Sequence, residues 1–166
     1  MYTSVLLLAL GFSAHATLLP VGPKWLDDYG IAHKLGQREQ KPLAVFVGSG
    51  SGGWNRLSRE GRFDKDIEDL LNAHYVCVYL DTNNQENRKL VSQLEFEGGR
   101  GLIISDRTGS KQALHYEGKL SNQDLARSLK KYADPDRTVE KTETTLREPA
   151  PSVPAQYYSP PASCRT

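Results

Sequence analysis

The chain has 166 residues, 38% of them hydrophobic, and 21 Lys+Arg against 20 Asp+Glu leave a formal net charge of +1. That length suits one compact domain with tails. The balanced charge excludes a protein drawn to nucleic acid or to an anionic membrane by its overall field, so no nucleic-acid partner is expected.

Residues 1–16 read as a secretory signal, with an apolar run at 5–10 and small residues at Ala14 and Ala16. The n-region lacks the usual Lys or Arg. The run is too short to span a bilayer, and no later segment is apolar enough to cross one. The chain is therefore expected outside the cytoplasm, periplasmic or extracellular, with no integral membrane segment once the signal is removed.

Trp25, Tyr29 and Ala32 fall at i, i+4 and i+7, which predicts a first amphipathic helix with Gly36 as its stop. Residues 43–47 form a continuous apolar run before a glycine cluster and read as a buried strand. Phe63, Ile67, Leu70 and Leu71 follow helical spacing. Residues 75–80, rich in β-branched and aromatic side chains, predict a second strand. Asn83 or Asn84 caps a helix holding Leu90, Val91 and Leu94. Residues 102–104 are a third strand, 106–109 a turn and 112–116 a returning fourth strand. Ser121 and Asp124 form a capping pair before Leu125, Leu129 and Tyr132, and Pro135 ends that helix.

The order predicts α/β architecture: a mixed four-stranded central sheet between two helical layers, over residues 22–134. Six of the nine prolines lie at or after Pro135. Residues 137–166 are expected to be a disordered or polyproline-II tail, because such a composition buries too little surface to offset its ordering entropy. Tyr157-Tyr158-Ser159-Pro160-Pro161 reads either as a docking segment for an aromatic groove or as a plain soluble extension.

The chain has two cysteines. Cys77 lies inside the second strand, where a small buried apolar residue is expected. Cys164 lies near the end of the tail, and a core strand does not present its sulfur to such a segment without distortion. Cys164 either joins a disulfide-linked partner or stays a free thiol; the sequence leaves both open.

On these elements, the chain resembles the thioredoxin-like superfamily over residues 22–134. The resemblance rests on Lys41-Pro42 before the first core strand, on Trp25 and Tyr29, on Asp81 at the end of the second strand, and on the hairpin through 106–109. It implies a thioredoxin-like three-layer α/β/α sandwich. It also implies a redox corner after the first core strand, where the family carries Cys-x-x-Cys. Here Gly52 and Asn55 take those positions, and Arg100 stands where the family has a cis-proline. Disulfide exchange needs an attacking and a resolving thiol, and a cis bond before a non-proline residue is costly, so a trans bond is expected at Arg100.

The sequence supports three functional readings. The first is an exported, non-catalytic binding or scaffold module for an unknown protein or peptide, with no enzymatic role, no catalytic residue, no cofactor and no metal. Ser51, Trp54, Asn55 and Arg100 would form its contact surface, with Trp54 either meeting the partner or packing over the sheet end. The second is a diverged thiol oxidoreductase working through a single cysteine; burial would raise the Cys77 thiol pKa and block access to it, leaving Cys164. The third is nucleotide binding, since residues 48–53 spell G-x-G-x-x-G after a strand. Against it, Asp81 lies 33 positions past Gly48, where the dinucleotide fingerprint wants an acid about 20 on. Ser49 and Ser51 have no histidine tied to them by spacing, so no serine nucleophile is expected.

Overall fold

The protein is described over residues 22–145 from a computed structural model. The expected signal at 1–16, the 157–161 segment and Cys164 lie outside those residues. Among the described residues the elements run β1 (Trp25–Leu26), α1 (Tyr29–Glu39), β2 (Leu43–Gly48), a 3₁₀ turn (Gly53–Leu57), α2 (Lys65–His74) and β3 (Val76–Asp81). They continue with α3 (Gln85–Gln93), β4 (Gly101–Ser105), β5 (Gln112–Glu117), α4 (Asn122–Ala133) and β6 (Glu143–Thr145).

The strands form one mixed sheet in the order β1-β3-β2-β4-β5-β6. β2 runs parallel to β3 and antiparallel to β4, and β4 runs antiparallel to β5. All six residues of β2 are buried, as a central strand covered on both faces requires. Its side chains alternate. Ala44 and Phe46 join the core under α2 and α4, with Ile67, Leu71, Leu125 and Leu129. Leu43, Val45 and Val47 join the core under α1 and α3, with Ala32, Leu80 and Val91. Three layers result, as expected.

The helix starts follow their caps. Asp28, Asn84 and Ser121 each accept a backbone N–H of the first turn with the side chain, which satisfies donors the helix leaves open.

Four expectations need correction. The sheet has six strands, not four. Trp25 belongs to β1, paired in parallel with Cys77 of β3, and the helix starts only after the Asp28 cap. Gly36 does not stop α1: it is buried within the helix, where a Cβ would meet the Lys41 carbonyl oxygen at 2.9 Å. The stop is Gln40, which turns left-handed at φ 53° and donates its N–H to the Gly36 carbonyl. Finally, the chain beyond residue 137 is not featureless: Glu143–Thr145 forms β6, parallel to β5, so the ordered unit runs past residue 134.

Candidate functional site

The strand directions gather one end of the sheet. β1, β2, β3, β5 and β6 share a direction and β4 opposes it. The C-terminal ends of β2, β3, β5 and β6 therefore stand beside the start of β4. Gly48, Asp81, Arg100, Glu117 and Thr145 are all at this end. Val47 pairs with Gly101 in the antiparallel ladder, so the next step of the register sets Arg100 across from Gly48.

The corner after β2 is fixed from beneath by β3. Asp81 accepts the Gly50 N–H at 2.8 Å and the Asn83 N–H at 2.9 Å on the same carboxylate oxygen. Tyr79 donates its hydroxyl to the Gly50 carbonyl at 2.7 Å. Burial, with the Asp81 carboxylate nearby, pushes the Tyr79 phenol up from its ordinary value, so it stays protonated and able to donate. Gly53 sits directly against this phenol: a Cβ there would meet the Tyr79 oxygen at 1.9 Å.

Above the tyrosine lies an aromatic stack. The Trp54 ring is 4.9 Å from Trp25 at an interplanar angle of 25°, and 5.2 Å from Tyr79 edge to face. Trp25 in turn meets Phe46 at 5.1 Å. Trp54 is thus packed over the end of the sheet, half-buried, with one side anchored in the core. Ser51 is exposed at the tip and Asn55 is half-exposed one residue on from Trp54. Arg100 is half-exposed and makes no ion pair among the described residues. The peptide bond before it is trans, as are all those described.

The glycine loop does not form a phosphate cradle. The Gly50 amide is taken by the Asp81 carboxylate, the Gly53 amide donates to the Gly50 carbonyl and the Asn55 amide to the Gly52 carbonyl. A carboxylate thus occupies the loop where an anion would need free amides. The loop leads into a five-residue 3₁₀ turn, with no α-helix N-terminus there. The nucleotide reading is corrected on this ground.

Cys77 is 3% exposed, faces the core and points its thiol toward the Leu71 carbonyl at 3.9 Å. Burial pushes the thiol up to about 12, with Lys41 pulling weakly the other way. It pairs with Ala44, four residues before the end of β2, about 13 Å down the strand from the corner at the usual rise. This thiol is neither ionised at neutral pH nor in reach of the corner.

Sequence reasoning missed Tyr79 and Asp81 as supports of the loop. The signal was present, since a tyrosine two residues before a strand-ending aspartate faces the same side of the sheet. Its meaning depended on β3 lying in register with β2, which pairs Tyr79 with Phe46 and Asp81 with Gly48.

This arrangement is the thioredoxin-like fold. The chain is similar to the solution structure of a thioredoxin from Thermus thermophilus, at 16% identity and TM-score 0.55, covering 66% of this chain and 86% of that one. It is similar also to a DsbH oxidoreductase, at 16% identity and TM-score 0.51, covering 74% of this chain and 94% of that one. No family model matches the chain, and no curated protein matches it.

The likeness corrects one expectation. Solved structures that share this architecture include a thioredoxin and an oxidoreductase. The step from a corner without sulfur to a chain without an enzymatic role therefore does not stand.

Proposed function

We propose that the chain is a diverged thiol oxidoreductase of thioredoxin-like fold, working through Cys164 alone, and that it receives its client at the end of the sheet carrying Ser51, Trp54, Asn55 and Arg100. The observation that carries this reading is the likeness of fold to a thioredoxin and an oxidoreductase. The closed state of Cys77 leaves Cys164 as the thiol for exchange.

The topology supports the choice. β6 ends at Thr145 on the same end of the sheet as the corner, three strand spacings from β2, or about 14 Å. Cys164 lies 19 residues beyond Thr145, a tether whose extended limit is roughly 60 Å. The sulfur is thus within reach of a client held against Trp54 and Arg100. The apolar run at 5–10 with Ala14 and Ala16 supports export to an oxidising compartment.

The reaction balances with an external small-molecule thiol. The Cys164 thiolate attacks one sulfur of a client disulfide, forming a mixed disulfide and releasing the other client sulfur as thiolate. A first external thiol attacks the Cys164 sulfur and frees the second client thiolate. A second external thiol then displaces Cys164 and departs as the oxidised disulfide. Two thiols become one disulfide, one client disulfide becomes two thiols, and the two protons pass to the client.

Insulin reduction driven by dithiothreitol tests the reading. Turnover by the full chain that is kept in Cys77→Ser and lost in Cys164→Ser is expected. No turnover above the dithiothreitol background, or turnover that survives Cys164→Ser, overturns it.

A further inference from the structure

The face of the sheet opposite Trp54 carries a cavity of about 810 Å³ near the same end, between α3, the 94–99 loop and the β5–β6 edge. Phe96 and His115 form its floor, packed edge to face at 4.7 Å. Arg88, Glu95, Glu97 and Glu117 line it higher up. His115 sits mid-strand at a position that faces the core beside Ile103, where an aliphatic residue would be the ordinary choice. It is 9% exposed, and its Nε2 has no hydrogen-bond partner. An imidazole buried in this way wants a polar group brought to it.

The charges say which kind. Three carboxylates stand against one guanidinium. Glu117 spends one oxygen on the Glu97 N–H at 2.8 Å, which fastens the rim. Glu95 and Glu97 are exposed and take part in no ion pair among the described residues. An anion would meet a net negative wall. A neutral apolar ligand would leave the imidazole nitrogen unpaired.

We propose that this cavity binds a small organic ammonium: a protonated amine carrying an apolar or aromatic body. The body lies on Phe96. The ammonium head faces Glu95 and Glu97, and one N–H donates to His115 in the tautomer that leaves Nε2 as acceptor. The site lies on the other face of the sheet from the corner and does not depend on thiol exchange.

The probe is 2-phenylethylammonium, titrated into the ¹⁵N-labelled full chain and followed by amide chemical shifts. The anion 3-phenylpropionate and the neutral 2-phenylethanol serve as comparators. Saturable shifts at millimolar ammonium, centred on the amides of Phe96, Gly99, His115 and Glu117, are expected, with at least fivefold weaker response to both comparators. Glu95→Gln with Glu97→Gln should weaken the ammonium about fivefold, the scale of two exposed charge contacts. That double variant alters exposed side chains only, and its remaining amide spectrum reports whether the fold is kept. His115→Leu should weaken the ammonium and the alcohol alike, since either can donate to Nε2, and should leave the preference for the ammonium, which the glutamates supply. No saturable shift at these amides, equal binding of phenylpropionate, or unchanged affinity in the double glutamate variant overturns the proposal.

Discussion

Gly53→Ala probes the corner directly. The φ of Gly53 is one that alanine adopts freely, so the substitution alone would stabilise slightly, by about 0.5 kcal/mol, through the unfolded chain. The new Cβ, however, falls 1.9 Å from the Tyr79 oxygen and 2.9 Å from the carbon bearing it. The ring cannot swing away cheaply, because Trp54 meets it edge to face at 5.2 Å and its hydroxyl is tied to Gly50 at 2.7 Å. Overpacking costs about 1–3 kcal/mol, and the lost hydrogen bond adds about 1 kcal/mol. The net expected loss is roughly 2 kcal/mol. Tyr79→Phe alone forfeits the hydrogen bond, about 1 kcal/mol. It also removes the closest clashing atom and leaves the ring carbon at 2.9 Å, whose residual overlap outweighs the gain through the unfolded chain, so Gly53→Ala made in the Tyr79→Phe background should cost only about 0.5 kcal/mol more. Urea unfolding followed through the fluorescence of Trp25 and Trp54 gives all four corners of the cycle. A Gly53→Ala penalty equal in both backgrounds would refute the contact between Gly53 and the phenol, and with it the view that β3 shapes the corner.

Three further outcomes rest on other contacts. Asp81→Ala removes a carboxylate that accepts two backbone N–H groups and should cost about 2 kcal/mol, while amide hydrogen exchange at Gly50 accelerates; unchanged exchange there would show the loop holds itself. Cys77 should resist a water-soluble disulfide reagent at pH 8 in the native chain and react at once in urea. Because its folded pKa is raised to about 12 from 9.0, its contribution to stability is full below pH 9 and is lost as pH rises toward 12; a Cys77→Ala chain should show a flatter alkaline limb, and an identical limb would contradict the burial assigned to the thiol. The Ser58 hydroxyl first, then backbone N–H groups including that of Asn122, hold Glu60 below its ordinary value of 4.5. Its contribution is therefore present above pH 4.5 and is lost as pH falls through the lowered value. Glu60→Gln should make stability less steep with pH on the acid side, read by urea midpoints across an acid pH series; equal slopes would place the carboxylate outside that hydrogen-bond set.

The sequence carried the long elements and lost the short ones for a physical reason. β2 through β5 each present five or six residues, enough for a continuous or alternating apolar pattern to stand out. β1 has two residues and β6 three; no periodicity exists at that length, and only pairing with β3 and β5 makes them strands. Trp25 misled because its spacing to Tyr29 and Ala32 is helical, while its ring is drawn instead onto Phe46 and Trp54. At the corner, Gly52 and Asn55 stand where the resemblance sets the family's two cysteines. The carboxylate closing the loop was not visible in the sequence, because Asp81 reaches Gly50 only through the β2–β3 register. His115 was visible as a histidine in a strand, but its burial beside the cavity depends on α3 and the 94–99 loop, which no local pattern states.

Among the described residues, both borders of the sheet end in these very short strands. A visiting polypeptide therefore finds few free main-chain groups to zip onto by β-augmentation. If the proposed end of the sheet receives a client, selectivity would then come from what the ring systems and the guanidinium there accept, and clients sharing a suitable side chain rather than a common backbone conformation would be taken up together.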